Sequence, residues 1–323
     1  MKTTTKTTPA ALPPAASATP TLDATLPLVI ALYGPELRWT IEGWAAHIRP
    51  CRHERHALNS WKKHRGSFPE CFDGAKLLTL ARMVDFGLAP DAAGVTSVVI
   101  LGVGGSGIGG DICAAVASPD CPVPVVVSKH YECPGFVGPD TLMFAVSFSG
   151  NTEETIGAAR AARDAGARLV VVAAGGELAR LAGEWGVPLL PVDASIPMPR
   201  AGIGAVTVPL LVALERMGLA DGMTGQIDAA ISQLERRREQ LRAASGPAER
   251  LAARIGGTLP LVYGGGALGE VAAWRWKGQF NENPKVPAFC NRIPELTHNE
   301  LAGWAQHGDV TRQVLTMVLL RHD

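Results

Sequence analysis

The chain has 323 residues, 47% of them hydrophobic and 19% charged, which is enough to bury one large core or two smaller ones. Lys plus Arg equals Asp plus Glu at 30 each, so no overall field attracts nucleic acid or an anionic membrane surface. Any anion that the protein binds must therefore be held by local groups. We expect a soluble globular protein without a nucleic-acid partner.

The first 45 residues are rich in Thr, Pro and Ala, and they predict a disordered tail and lead-in. Their short apolar run, at 28–32, lies too late for a secretory signal and follows the interrupting residues Pro13, Pro14 and Pro20. No later stretch reaches the roughly eighteen uninterrupted apolar residues that a membrane span needs. We therefore expect a cytoplasmic protein with no membrane partner.

Residues 46–94 predict a basic helical lead-in, with six Lys or Arg residues against one acid between positions 49 and 65. A solvated helix face has the same composition as a phosphate-contacting surface, so both interpretations stay open, with the solvated face favoured. Cys51, His53 and His56 are close enough to suggest a metal, but no second ligand cluster has convincing spacing. The six cysteines form no C-x-x-C pair, and we expect reduced packing residues.

Residues 95–220 alternate apolar, β-branched runs with helical stretches. The run VTSVVILGVGG precedes the helical GIGGDICAAVA, and PVPVVVS, TLMFAVSFSG and ARLVVVAAG follow, with the helical NTEETIGAARAARDAG between the last two. Strands that alternate with helices at this pitch predict a parallel sheet covered on both faces. Residues 221–255 predict a charged helical connector.

A second unit is predicted at residues 256–323. It begins with LPLVYGGGALGEVAAWRWKGQF, a strand, glycine turn and helix that look like a divergent copy of the first element. Two tandem α/β halves, each of three αβα layers with a parallel sheet, are therefore predicted. We expect the second half to be incomplete at its C-terminus, because the first continues through another helix and strand beyond the equivalent of VLTMVLLRHD.

Two glycine-containing turns are candidate anion sites. GVGGSG at 102–107 fits G-x-G-x-x-G, but a dinucleotide fold also needs an acid at the end of the second strand, where Ser128 and Lys129 stand. In SFSGNTEET, a strand delivers Ser147, Ser149 and Thr152 to the start of a helix. Hydroxyls and first-turn amides favour an anion there. An N-cap is the alternative, although a cap needs only one hydroxyl.

Five motifs in order resemble those of known sugar isomerases. GVGGSGIGGD and SFSGNTEET resemble the phosphosugar-binding signature of sugar isomerase (SIS) domains. PRAGIG, RWKGQFNENPK and PELTHNE resemble segments of the bifunctional phosphoglucose/phosphomannose isomerase family, whose members contain two SIS halves. The resemblance extends from about Val95 to Asp323. It implies two tandem SIS-type, flavodoxin-like halves.

The resemblance also implies an activity, the reversible isomerisation of glucose 6-phosphate, and of mannose 6-phosphate, to fructose 6-phosphate. It implies that Glu282 moves a proton between C1 and C2 through an enediolate, that His298 opens the sugar ring and that Arg200 stabilises the developing charge. It implies no metal or cofactor. The residues that it assigns to the phosphate are Gly105, Ser106, Ser147, Ser149 and Thr152.

Glu282 and His298 stand sixteen positions apart, too far for one helix face, so we expect the proline-rich loop between them to bring them together. In the family the histidine is commonly supplied across a dimer interface, which implies a homodimer. In the alternative, surface interpretation, Glu282 forms a salt bridge with Lys277 or Lys285 and His298 caps a turn.

The chain departs from the family in four places, one of which is the long basic segment before the first strand, which nothing in the family explains. Thr297 and Pro284 stand where relatives more often have Asn and Ala, and a C-terminal region that carries a lysine and a threonine near the sugar has no counterpart. A non-catalytic sugar-phosphate-binding module, or a degenerate fragment, is therefore the alternative function. Aminotransfer to a sugar phosphate would need a glutamine-hydrolysing nucleophile, and Met1 is not followed by cysteine.

Overall fold

The computed structural model of the protein describes residues 92–196, 198–242 and 245–320. The predicted tail at 1–45, nearly all of the basic lead-in at 46–94, and the group of Cys51, His53 and His56 lie outside the described residues. The described residues form two parallel sheets with helices packed against them, which confirms the predicted α/β class. The domain boundaries drawn from the sequence stay predictions.

The first sheet contains five parallel strands in the order β2-β1-β3-β4-β5, which is the flavodoxin-like order. Its strands are β1 (Ser97–Leu101), β2 (Val125–Ser128), β3 (Thr141–Ser147), β4 (Arg168–Ala173) and β5 (Leu189–Pro191). The helices of this unit are α1 (Gly104–Ala117), α2 (Glu153–Asp164), α3 (Gly176–Trp185) and α4 (Ile203–Arg216).

Both faces of this sheet are buried, which explains why its strands are continuous apolar runs rather than alternating ones. Along β1, Val99 packs against the α2 and α3 side, in a cluster with Ala158 and Leu178. Its neighbour Ile100 points the other way and packs with residues of α1 and α4, among them Leu210. The two-residue period of the strand thus supplies two separate cores.

The second sheet is smaller, with three parallel strands in the order β7-β6-β8. They are β6 (Leu259–Gly265), β7 (Phe289–Ile293) and β8 (Leu315–Leu320). The remaining helices are α5 (Met223–Arg242) and α6 (Pro247–Ile255) before β6, α7 (Gly266–Glu282) after it, and α8 (Glu300–Gly303) and α9 (Gly308–Val314) before β8. Among the described helices, none has the length and apolar character needed to cross a bilayer.

One face of the small sheet joins the main core, and the other is partly open. Val262 of β6 packs with Trp276 and other residues of α7. On the opposite face Phe289 and Met317 flank Leu261 in register, and they are 53% and 51% exposed. A parallel sheet normally has both faces covered, so this side of the second half is incomplete in the described residues, as expected from the sequence.

The turn that follows β3 is hydrogen-bonded to the segment that follows β4. The amide of Leu178 donates to the carbonyl of Gly150 (2.8 Å), and the amide of Ala174 donates to the carbonyl of Phe148 (3.2 Å). Gly150 has φ +73°, and a Cβ placed on it would lie 1.8 Å from the Gly175 carbonyl oxygen. Only glycine fits this position, because both the backbone angle and the close approach exclude a side chain.

Gly150→Ala is therefore expected to lower the free energy of unfolding by about 3 kcal/mol or more, from left-handed strain plus the contact with Gly175. Urea unfolding followed by circular dichroism measures the change. Gly157→Ala is the matched control, since Gly157 lies inside α2 and a Cβ there meets nothing closer than 3.9 Å. It should raise stability by about 0.5–1 kcal/mol through helix propensity. Equal effects of the two variants would contradict the described turn.

Candidate active site

The hydroxyls predicted to bind phosphate form one hydrogen-bonded group. Ser147 Oγ and Thr152 Oγ1 are 2.8 Å apart, and the amide of Gly150 donates to Ser147 Oγ (3.0 Å). Ser147 is fully buried, whereas Ser149 is exposed and its Oγ accepts from the amide of Asn151 (3.2 Å). Ser147 therefore stabilises the turn from its buried side, and Ser149 and Thr152 are the hydroxyls nearer to solvent.

Ser106 connects this turn to the glycine loop. It lies in the first turn of α1, is buried, and its Oγ accepts from the amide of Phe148 (3.1 Å). Strands β1 and β3 are direct neighbours, so the loops at their carboxyl ends lie side by side. The five residues predicted for the phosphate thus come together at one edge of the first sheet, and their roles stay a prediction.

Two helices begin at this edge without a side-chain cap. Neither Val103, before α1, nor Thr152, before α2, makes a side-chain hydrogen bond to the helix that follows. First-turn amides that no side chain caps are donors for an anion, and the helix dipoles add to the attraction. The Thr152 hydroxyl bonds to Ser147 instead of capping its helix, which counts against the N-cap interpretation.

The end of β2 lacks the acid of a dinucleotide site. Ser128 is buried there, and the Lys129 ammonium pairs with the Asp111 carboxylate of α1. Burial raises the pKa of Asp111, and the hydrogen bond from Lys129 opposes that shift. The arrangement therefore offers a lysine rather than a carboxylate at the position where a nucleotide ribose would need an acceptor.

The loop that carries Arg200 packs on both the glycine loop and the serine-rich turn. It forms a short 3-10 turn at Pro199–Ala201. The Pro199 carbonyl oxygen lies 3.5 Å from where a Cβ on Gly105 would stand, and a Cβ on Gly202 would lie 2.5 Å from the Phe148 ring. Gly202 thus permits the Arg200 loop to lie directly against the serine-rich turn.

Arg200 also contacts the second half of the chain. Its Nη1 lies 3.6 Å from Glu282 Oε2, and its Nε donates to Asn283 Oδ1 (2.9 Å). The Lys285 ammonium donates to the backbone carbonyl of Glu282 (2.6 Å), and Lys277 stacks on the Trp274 ring. The carboxylate of Glu282 is therefore paired with Arg200 rather than with either lysine, contrary to the surface alternative.

The Glu282 side chain is 52% exposed, so the carboxylate is less shielded from water than a fully buried base. It ends helix α7 rather than lying in a loop. Its position beside Arg200 places an acceptor for a proton next to a fixed positive charge, close to the edge at which α1 and α2 begin. That combination fits proton abstraction from a carbon whose negative charge must be stabilised.

Three polar residues near this contact, two in α7 and one at its C-cap, were missed in the sequence. Arg275, Gln279 and Asn283 follow one another at intervals of four residues and therefore share one face of the helix. Arg275 donates to the backbone carbonyl of Arg200, and the Gln279 amide lies 2.7 Å from both the Arg275 guanidinium and the Asn283 amide nitrogen. Their spacing of four residues was the signal in the sequence that could have identified them as one helix face.

His298 lies far from Glu282 along the second sheet. Helix α7 runs back from the carboxyl end of β6 over about 25 Å for its 17 residues, so Glu282 lies toward the amino ends of the strands. Strand β7, parallel to β6, then carries the chain to the opposite edge, where His298 ends an exposed 3-10 turn. The expectation that a loop joins the two residues is wrong, because a strand separates them.

A polar network fixes the segment that carries His298. The Tyr263 hydroxyl donates to the Glu300 carboxylate and accepts from Trp304 Nε1 (3.1 Å), and Asn291 Nδ2 donates to Glu300 Oε2 (2.6 Å). Burial, and then the Glu300 carboxylate, raise the pKa of Tyr263 to about 12. Within the described residues, the His298 imidazole forms no hydrogen bond or ion pair with this network.

Comparisons with known proteins agree with these features. Residues 244–323 match the family described as bacterial phospho-glucose isomerase C-terminal SIS domain. A bifunctional phosphoglucose/phosphomannose isomerase of Caldicellulosiruptor bescii is 37% identical over 216 residues, 66% of this chain and 63% of that protein. One of Thermoplasma acidophilum is 34% identical over 227 residues, 70% of this chain and 67% of that protein. The chain thus spans less than two thirds of the first relative.

Solved structures show the same fold. The crystal structure of tagatose-6-phosphate ketose/aldose isomerase from Escherichia coli aligns with a TM-score of 0.51 at 14% identity, covering 89% of this chain and 72% of that one. At this identity the likeness concerns the fold alone. It agrees with the parallel α/β architecture described above.

Tyr263→Phe is expected to lower the free energy of unfolding by about 1–3 kcal/mol, because Glu300 and Trp304 lose a partly buried partner. Urea unfolding at pH 7 measures the loss. Tyr131→Phe makes the same chemical change at a tyrosine that is 56% exposed, and it should change stability by less than about 0.5 kcal/mol. Equal stabilities of the two variants would show that the network does not hold the His298 segment.

Proposed function

Because the chain belongs to the bifunctional phosphoglucose/phosphomannose isomerase family, we propose that it interconverts glucose 6-phosphate, and also mannose 6-phosphate, with fructose 6-phosphate. The observation that carries this proposal is the contact between Arg200 and Glu282, 3.6 Å across the two halves, beside the serine-rich turn. It combines a base, a fixed positive charge and an anion-binding edge in one place.

The phosphate of the substrate binds at the N-termini of α1 and α2 in this proposal. First-turn amides donate to its oxygens, with Gly105 providing close approach and Ser149 and Thr152 providing hydroxyl donors. Ser106 and Ser147 hold the two turns in register, as their hydrogen bonds to Phe148 and Gly150 indicate. Binding of the phosphate orients the far end of the open-chain sugar toward Arg200, which turns proton transfer into an intramolecular step.

Glu282 transfers the proton in the central step. In the direction from aldose to ketose, its carboxylate takes the proton from C2, and the electrons of the broken C–H bond form the enediolate double bond while the C1 carbonyl oxygen becomes negative. Arg200 stabilises that charge. The proton of the C2 hydroxyl passes to the negative C1 oxygen. As the C1–C2 double bond takes the proton from Glu282 at C1, the electrons on the C2 oxygen form the carbonyl at C2. The steps use side chains of the protein and no cofactor.

His298 opens the sugar ring in this mechanism, and a second copy of the chain supplies it. The support is topological, since Glu282 and His298 lie toward opposite edges of the small sheet in one chain. An imidazole transfers protons near neutral pH, as ring opening requires. We propose a homodimer in which the His298 of each subunit serves the site of the other.

Glu282→Gln is expected to lower kcat by about 10²–10⁴-fold with little change in KM, because the amide keeps the shape but cannot accept the proton. Conversion of fructose 6-phosphate is followed by coupled oxidation of glucose 6-phosphate, and mannose 6-phosphate is assayed separately. Glu295→Gln, in the exposed turn before His298, is the matched control and should retain activity. If the wild-type protein binds fructose 6-phosphate but converts it no faster than Glu282→Gln does, the chain is instead the non-catalytic binding module.

The shared site is tested with differently tagged Glu282→Gln and His298→Asn chains, co-expressed and purified as heterodimers by two affinity steps. Each heterodimer then contains one site with both Glu282 and His298, so activity of about half the wild-type value is expected, while each variant alone is inactive. If the two residues acted within one chain, the heterodimer would be as inactive as its parents.

A further inference from the structure

Arg275 is a buried cation without a carboxylate partner. It lies on α7 with 5% of its surface exposed, and it forms no ion pair within the described part of the chain. Removing a guanidinium from water is costly unless other groups compensate, and an apolar side chain would fill the same space without that cost. Packing alone therefore does not explain an arginine at this position.

The contacts of Arg275 lead to Arg200. Its Nη2 donates to the backbone carbonyl of Arg200. When the Gln279 amide is oriented with its oxygen toward Arg275, that oxygen accepts from Nη1 and from Nη2, each at 2.7 Å. Asn283, two turns further along the same helix face, accepts from Arg200 Nε (2.9 Å). One face of α7 thus holds Arg200 at both its backbone and its guanidinium.

The charge of Arg275 also acts on Glu282. Burial lowers the pKa of Arg275 to about 10, the attraction of Glu282 opposes that shift, and the repulsion of Arg200 adds to it. Arg275 is therefore protonated at neutral pH. The charges of Arg200 and Arg275 then both act on the one carboxylate of Glu282, and this leaves a local positive charge in a protein whose formal net charge is zero.

We infer that Arg275 is a positioning residue for the isomerisation, which fixes the Arg200 loop against Glu282 and keeps a second positive charge beside the reacting carbons. When Glu282 takes the proton, the negative charge passes from its carboxylate to the enediolate, and the same two cations still face one negative charge. The site then needs no reorganisation during the reaction, which is the condition for electrostatic stabilisation of the enediolate. The inference rests on the proposed function.

Arg275→Met and Arg275→Lys test this inference, with Arg292→Met as the matched control. Arg292 is exposed and pairs with Glu270 on the surface (3.2 Å), away from Arg200. We expect Arg275→Met to lower kcat by about 10²-fold while KM for fructose 6-phosphate changes less than about threefold. Arg275→Lys keeps the charge and should recover at least about a tenth of wild-type kcat. Arg292→Met should match wild type.

Conservative rescue separates this role from loss of folded protein. Circular dichroism and urea unfolding measure the folded fraction of each variant, and kcat is expressed per folded protein. Loss of folded protein alone would leave the kcat of the folded fraction unchanged. A folded Arg275→Met variant with wild-type kcat, or an Arg275→Lys variant no more active than Arg275→Met, would overturn the inference.

Binding of an anionic analogue distinguishes failure of this inference from failure of the proposed function. 5-Phosphoarabinonate carries a carboxylate where the enediolate charge develops, and inorganic phosphate does not. By calorimetry, Arg275→Met should lose about tenfold or more affinity for 5-phosphoarabinonate and less than about threefold for inorganic phosphate. Wild type without isomerase activity would refute the proposed function, and equal losses for both ligands would refute the role of Arg275.

Discussion

The contact of Arg200 with Glu282 is the interaction on which the proposed chemistry depends. Each residue comes from a different sheet unit, so neither half contains the site by itself. The loop of Arg200 lies against the serine-rich turn through Gly202, and Asn283 orients the guanidinium from the side of α7. Anything that moves α7 relative to the first sheet therefore separates the base from the positive charge that must stabilise its product.

The proposed anion site relies on local geometry rather than on net charge. Lys plus Arg equals Asp plus Glu over the whole chain, and the serine-rich edge itself carries Glu153 and Glu154 in the first turn of α2. Attraction must therefore come from helix N-termini and hydroxyls. The parallel sheet makes this possible, because the carboxyl ends of β1 and β3 place two helix N-termini side by side.

The second sheet is the reason for proposing that another copy of the chain completes the site. Strand β7 lies between Glu282 and His298 along the chain, and because it is extended it holds them apart. The Tyr263 and Glu300 network then fixes the His298 segment at the far edge. The partly open face around Phe289 and Met317 lies on the same unit, so the second half is the less complete part of the described structure.

Much of the fold follows from the sequence, because strand and helix periods and glycine turns are local properties of the chain. The same holds for the serine-rich turn, since its hydroxyls stand within six residues. Local patterns did not reveal that Arg200 pairs with Glu282, that Arg275 is buried behind Arg200, or that β7 separates Glu282 from His298. Those facts depend on how α7 packs between α1 and the second sheet. Contacts such as those of Arg200, which span 75 to 83 positions, leave no periodic signal in a single sequence.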